Sequence, residues 1–361
     1  MGDGPLQKTF SHFRNKMAYL LNAGFAKPQL IYLKITSLCN FHCQNCDIWQ
    51  GNSRQDLPLL EWEKIILKIK KHNRDSSIIL SGGEPLLYKD FWPLADFLRR
   101  ENIAATLNTN GALINEKNIE RLLRAPFQKI SVSLYSLNKE VHNSLRNTGN
   151  AFEKSFSALL SLAKKREQLA AKTELIVACL LNSKNISDLP AFIDFFSKHD
   201  IAVSLQALDT NIQAMSGRLD FEQKALISQS PLWPNNKKLV SDIFEKILAM
   251  KTAGSKIYNR ADSLKVMRDY YLDDFAKIKK RPCYVGQNNL IITAEGDAFF
   301  CFSGPPIGNL TNNTWLDVWN GREARQIRKR VKHCPALCRV MNCNFQSNLW
   351  QMASEKIKKM F

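Results

Sequence analysis

Cys39-Asn-Phe-His-Cys43-Gln-Asn-Cys46, reached from the apolar run Leu30-Ile-Tyr-Leu-Lys-Ile35, is the stretch on which the reading of this chain turns. A short apolar, β-branched run ending in a polar loop reads as a buried strand that delivers the loop to a sheet edge. Three thiols at C-x3-C-x2-C spacing on one tight loop can meet three corners of an iron-sulfur cube and leave the fourth iron without a protein ligand. An open iron is a place for chemistry. Two blander readings compete with it. One is a structural zinc site, which wants four closed ligands and would have to recruit His42 or a distant group. The other is a chance grouping of reduced cysteines.

Working outward, Ser77-Ile-Ile-Leu80 is a second buried run, and it ends in Ser81-Gly82-Gly83-Glu84-Pro85, a glycine turn carrying a carboxylate. Thr109-Asn110-Gly111 follows a third strand, and Ser131-Val-Ser133 lies on a fourth. In this order the four motifs resemble the radical S-adenosylmethionine (radical SAM) superfamily. The resemblance implies that Cys39, Cys43 and Cys46 hold a 4Fe-4S cluster whose open iron is chelated by S-adenosylmethionine. It further implies that Gly82, Gly83, Glu84 and Pro85 receive the methionine amino group. Asn110, Ser133 and Arg146 would hold the ribose hydroxyls and the methionine carboxylate, and Asn182 would touch the adenine. Two positions depart from the family pattern. Asn45 replaces the aromatic or His usual before the third cysteine, and Tyr135 stands where a carboxylate or amide is common, as a hydroxyl contact or a hydrogen-atom relay.

Strands are expected near 29–37, 77–82, 104–109, 129–135, 174–181 and 202–208, with helices near 60–72, 90–100, 116–124, 152–168 and 187–199. Alternation of β then α is the sign of a parallel sheet, and six repeats make an α/β fold, a partial (β/α)6 TIM barrel. Every motif then falls at the C-terminal edge, where such folds carry their sites. Residues 1–27 read as an amphipathic helical lead-in, with Phe10, Phe13, Met17, Leu20 and Leu21 at helical spacing, 28–225 as the barrel and 226–280 as a helical linker.

Residues 281–361 read as a smaller cysteine-rich domain: Cys283, a hairpin from Leu290 to Cys301 with Glu-Gly-Asp at its tip, a helix from about Trp315 to Lys332, and then Cys334, Cys338 and Cys343. The pattern resembles the SPASM/twitch extension, which implies an auxiliary 4Fe-4S cluster held by four of these five cysteines; zinc is the competing metal. Cys179 alternates with Val177 and Leu181 on a strand and reads as a small core residue.

The chain has 361 residues and nine cysteines, an odd number split into three early, one central and five late, which is the arithmetic of metal sites rather than of disulfides. With no secretory leader and no long apolar run, a reducing cytoplasm fits best. A net charge of +18 favours anionic partners, a membrane surface included, yet no nucleic-acid motif accompanies it, and solubility explains it as well. The resemblance implies hydrogen abstraction from a peptide or small-molecule carbon, with an electron from a flavodoxin or ferredoxin. The alternatives are a nucleic-acid- or membrane-associated modifying enzyme and a non-catalytic iron-sulfur scaffold.

Overall fold

The computed structural model describes residues 5–21, 24–50, 56–208, 227–301, 304–334 and 336–340. After α1 (Pro5–Leu21) come β1 (Leu30–Thr36), α2 (Leu59–His72), β2 (Ser77–Gly82), α3 (Phe91–Arg100), β3 (Ala105–Thr109), α4 (Ile119–Arg124) and β4 (Phe127–Ser133). Then follow α5 (Lys139–Arg146), α6 (Ala151–Gln168), β5 (Glu174–Leu180), α7 (Leu189–Lys198) and β6 (Ala202–Gln206). The six strands pair in parallel, each with the next in the chain, as the alternation predicts.

Each strand sorts its side chains by alternation. On β1, Ile31, Leu33 and Ile35 are wholly buried against the helix layer, where α2 answers with Trp62, Ile65, Ile66 and Ile69. Those four recur at helical spacing and form one apolar stripe. Tyr32, Lys34 and Thr36 alternate with the first set and point to the inner face of the sheet. That inner face is polar: Ser81 stands opposite Lys34, and Asn108 opposite Ser131.

The expected helical linker is α8 (Lys237–Thr252), α9 (Ala261–Tyr271) and α10 (Phe275–Lys279). A short α11 (Val285–Asn288) then leads into β7 (Asn289–Ile292), β8 (Asp297–Phe299) and β9 (Gly308–Asn309). The hairpin is present, β7 antiparallel to β8. The smaller domain joins the sheet of the barrel: β7 pairs in parallel with β1, so among the described residues nine strands form one sheet in the order β6-β5-β4-β3-β2-β1-β7-β8-β9. The core runs through with it, from Ile31 and Trp62 to Trp315 and Trp319.

The last expected helix is two, α12 (Trp315–Asn320) and α13 (Arg322–Lys332), because Gly321 adopts extended backbone between them. Thr314 and Asp317 close a capping box at the start of α12. The lead-in helix α1 docks through Asn15 together with Ala18, which is buried in the main core, and Tyr19, whose ring lies 4.7 Å from that of Tyr284. Asn15, fully buried, donates to Lys27 O (3.0 Å), Gln287 O (3.1 Å) and Asn288 Oδ1 (2.9 Å). Phe13, Leu20 and Leu21 stay exposed at 53%, 58% and 63%.

Candidate functional site

The cysteine loop leaves β1 at the C-terminal edge of the sheet, and neighbouring strand ends hold it. Gly83 N donates to Thr36 O (2.9 Å) and Glu84 N to Leu38 O (2.7 Å), so the turn after β2 is laced to the backbone entering the loop. A Cβ on Gly82 would meet Thr36 O at 2.3 Å, and one on Gly83 would meet Leu38 O at 2.0 Å. Gly82 also takes a φ of +130°, which L residues avoid. These glycines are fixed by the close approach of two strand ends.

Glu84 is fully buried and braces β2 against β3. Its Oε1 accepts from Thr109 Oγ1 (2.7 Å) and Leu86 N (3.2 Å), and its Oε2 from Asn110 N (2.7 Å). Burial pushes the carboxyl up, and these three donors oppose the shift. Pro85 opens the short turn of helix that follows. Asn110 carries the brace on to the cysteine loop, its Nδ2 donating to Asn40 Oδ1 at 2.7 Å.

Cys43 is buried beside Phe41 and Ala151, with Cys39 and Cys46 packed against the same small apolar group. Burial raises the Cys39 thiol and pushes Cys46 up to about 11, and each is raised further by its sister cysteines. Cys39 and Cys46 become thiolates only beside compensating positive charge, which a neighbouring cation or bound metal supplies. Arg146, at the end of α5, supplies one such charge: its Nη1 donates to Cys43 Sγ at 3.3 Å while the guanidinium lies 4.1 Å over the Tyr135 ring. Its Nε and Nη2 are buried without partners, as are Asn45 Oδ1 and Asp47 Oδ1. Among the described residues no three His, Cys, Asp or Glu side chains converge on a single-ion site. Three thiols on one loop beside the unsatisfied atoms of Arg146, Asn45 and Asp47 are a donor set that suits a 4Fe-4S cube with a polar ligand on its open corner.

The remaining expected residues divide. Ser133 lies half-buried on the inner face at the end of β4. Tyr135 is buried, its phenol pushed up to about 12 mainly by burial, with Arg146 opposing. Asn182 is spent on its own turn: Nδ2 donates to Leu180 O (2.9 Å), Oδ1 accepts from Lys184 N (2.9 Å), and nothing of it is exposed. Cys179 is buried in the core, as read. Motif reasoning missed His142, whose Nδ1 accepts from Tyr135 N at 3.0 Å behind Arg146. Burial and then Arg146 pull its pKa down to about 3, so it is neutral. It also missed Lys34, 5% exposed on the inner face and pulled down to about 7 by burial against the opposing charges of Cys46, Asp47 and Glu295.

A second cysteine group forms around α11. Cys283 is buried, its thiol pushed up to about 12 by burial and further by Cys301 and Cys334, with Arg339 opposing. Arg339 reaches back between the late cysteines, Nη1 donating to Ala336 O and Nη2 to Cys334 O, both at 2.6 Å. Cys338 is half-buried four residues on, and Cys343 lies outside the described residues. Arg328 is wedged between the Phe300 and Trp319 rings, at 4.6 and 4.7 Å, with its Nε on Gly286 O at 2.8 Å. It ties the segment after Cys283 to the residue before Cys301.

Comparison with known proteins agrees with both halves. Residues 33–196 match the radical SAM superfamily model and residues 283–344 a SPASM iron-sulfur cluster-binding domain, between them more than half of the chain. An AdoMet-dependent heme synthase from Methanosarcina barkeri is 32% identical over 144 residues, 38% of this chain and 40% of that protein. The chain thus spans well under half the length of that relative. A PqqA peptide cyclase from Xanthomonas euvesicatoria is 23% identical across 86% of this chain and 79% of its own. Among solved structures, SuiB of Streptococcus suis bound to its precursor peptide SuiA superposes with a TM-score of 0.65 over 90% of this chain and 72% of its own, at 16% identity, which speaks for the fold. 4Fe-4S clusters and S-adenosylmethionine are the cofactors of these families. With a nine-stranded sheet that carries one cysteine group on its first strand's loop and a second around its seventh, the chain belongs to the radical SAM superfamily and bears a SPASM domain after the radical SAM core.

Proposed function

We propose that the protein is a radical SAM enzyme that modifies a peptide, with Cys39, Cys43 and Cys46 holding the catalytic cluster and the late cysteines holding an auxiliary one. When bound, the first cluster and S-adenosylmethionine supply, with one electron from a flavodoxin or ferredoxin, methionine and a 5′-deoxyadenosyl radical that takes hydrogen from a substrate carbon. The observation that carries the reading is the cysteine loop itself, laced to the Gly82-Gly83-Glu84 turn, with an Arg146 guanidinium on Cys43 Sγ at 3.3 Å.

The chain's own residues orient and exclude. Arg146 keeps two buried donors unsatisfied, which suits a carboxylate. The Tyr135 ring lies under that guanidinium and is itself held through Tyr135 N on His142 Nδ1, so the guanidinium meets its ligand preorganised. The half-buried Ser133 presents a hydroxyl at the end of β4, beside Asn110, whose amide already bonds Asn40 Oδ1 and Ala112 N and would keep only its remaining N–H and lone pair for a ribose hydroxyl. Cys283, Cys301, Cys334 and Cys338 suffice for the four corners of a second cube, with Cys343 as the alternative fourth.

A peptide is favoured as substrate because SuiB was solved with a precursor peptide and a further relative is a peptide cyclase. A reducing cytoplasm suits the cysteines, and among the described residues no helix is long and apolar enough to cross a membrane. The test is 5′-deoxyadenosine release by anaerobically reconstituted, reduced protein. Wild type should release it and Cys43→Ala should not, while remaining folded. Release by the variant at the wild-type rate, or silence from a wild type proven to carry iron, overturns the reading.

A further inference from the structure

The basic run of α13 and the exposed end of α1 have no use in the arrangement so far. Along α13, Glu323 is the one acidic residue among six basic ones. Arg322, Arg325, Lys329 and Lys332 recur at helical spacing and form one row, beside the buried stripe of Ala324, Ile327 and Val331. Arg322, Arg325 and Lys329 are exposed, and none of the four forms an ion pair among the described residues. Lys332 ends the row on α1: its Nζ donates to Leu20 O (3.4 Å) and lies 4.8 Å over the Tyr19 ring. There α1 turns Phe13, Leu20 and Leu21 outward. A solvated helix face mixes its signs, whereas a row of one sign beside exposed leucines has the anatomy of an interface, an apolar centre with a polar rim.

The second cysteine group lies directly behind this face. The Tyr19 ring packs 4.7 Å from that of Tyr284, the residue after Cys283, and Cys334 N donates to Val331 O (3.3 Å) at the end of α13. Asn15 fixes α1 to Gln287 and Asn288, just ahead of β7, and β7 starts level with β1. The face therefore stands at the sheet edge opposite the exit that carries Cys39. A partner seated on it leaves the barrel mouth open to substrate.

We propose that Arg322, Arg325, Lys329 and Lys332, around Leu20 and Leu21, dock an acidic one-electron carrier protein of the ferredoxin or flavodoxin kind against the second cysteine group. A row of one sign, on a chain of net charge +18, draws an anionic partner and speeds the encounter. The leucines give that partner an apolar contact once it has arrived. A lipid surface would meet the same charge but gain nothing from the cysteines behind it, whereas a carrier is brought close to the group with which it trades. The exchange is of one electron, lost by one partner and gained by the other, and it moves no atom.

The inference rests on the reading that the late cysteines hold a cluster, and the two can fail separately. Iron-loaded wild type, Arg325→Glu/Lys329→Glu, Leu21→Ser and Cys301→Ala are titrated with an oxidised 2Fe-2S ferredoxin and with a flavodoxin, both acidic, at low and at high salt. Lys117→Glu/Lys154→Glu, an equal charge reversal at exposed sites before α4 and on α6, is the control. Wild type should bind at least one carrier, and more weakly as salt rises. Arg325→Glu/Lys329→Glu should weaken that binding about tenfold or more, and the control by less than about twofold. Leu21→Ser should weaken it at both salts, because an apolar contact is not screened. When chemically reduced protein meets oxidised carrier, Cys301→Ala should bind it as wild type does yet reduce it more slowly. Binding of neither carrier, an equal loss in the control, or carrier reduction by Cys301→Ala at the wild-type rate overturns the proposal. Sedimentation with phosphatidylglycerol vesicles that needs Arg325 and Lys329, while neither carrier binds, also overturns it and assigns the face to a membrane. If instead Cys301→Ala loses no iron, the late cysteines hold no cluster and that reading falls, while the affinities still decide the docking.

Discussion

Glu84 shows how much a single buried charge does here. Its three donors come from Thr109, Asn110 and the turn at Leu86, so Glu84→Gln would set an NH2 group against N–H and O–H donors. The expected loss is about 1–3 kcal/mol, the usual penalty for an unsatisfied buried polar group, read as a lower urea midpoint at unchanged slope. His142 gives a pH dependence. Its imidazole is neutral in the fold, with a pKa near 3, against an ordinary 6.5. A group with a depressed folded value contributes stability that is present above the unfolded pKa and lost as pH falls, because the unfolded chain binds the proton first. Between pH 6.5 and 5, above most carboxylate titrations, wild type should lose up to about 1.4 kcal/mol per pH unit through this residue. His142→Gln keeps an acceptor for Tyr135 N without titrating, and its urea midpoint should fall less over the same interval. Parallel profiles in the two proteins would exclude the imidazole as the source.

At the scale of elements, the parallel strands were legible because each is a short apolar run ended by Gly, Asn or Ser, and the motifs were legible because parallel strands put all their exits on one edge. The helix α5 was not expected. Its sequence Lys-Glu-Val-His-Asn-Ser-Leu-Arg offers only Val141 and Leu145 to an apolar stripe, and tertiary contacts hold it through His142 and Arg146. Arg146 was therefore recognised by its motif while the helix that aims it was not. The single helix expected over Trp315–Lys332 failed at Gly321, where extended backbone replaces helix, although glycine inside an apolar period is compatible with either outcome. The docking of α1 by Asn15 runs against the apolar pattern that suggested the helix. Asn15→Ala would remove an amide whose two N–H groups are shared among three acceptors, at a cost of about 1–3 kcal/mol, and free the helix while the barrel persists. Hydrogen exchange should then rise over residues 5–21 alone.

For the whole molecule, two cubes imply about eight irons per chain. Cys43→Ala and Cys283→Ala should each lose about half of the iron, from different sites; zinc in place of the second half would assign the late cysteines a structural metal. If the auxiliary cluster accepts an electron from a substrate radical, Cys301→Ala should still release 5′-deoxyadenosine yet give less oxidised product for each molecule released; an unchanged ratio in a variant lacking that cluster would leave the site a structural role. No local pattern could show that β7 pairs with β1, since that register joins Leu30 to Asn289 across most of the chain. The same register sets the timetable of biosynthesis. Until the ribosome reaches Asn289, β1 has β2 on one side and a bare row of N–H and C=O groups on the other, an invitation to wrong pairing. Closing so long a loop is slow. The nascent barrel must therefore wait, half-edged and with its early cysteines already outside the tunnel, until the segment that will carry the second cluster emerges and seals it.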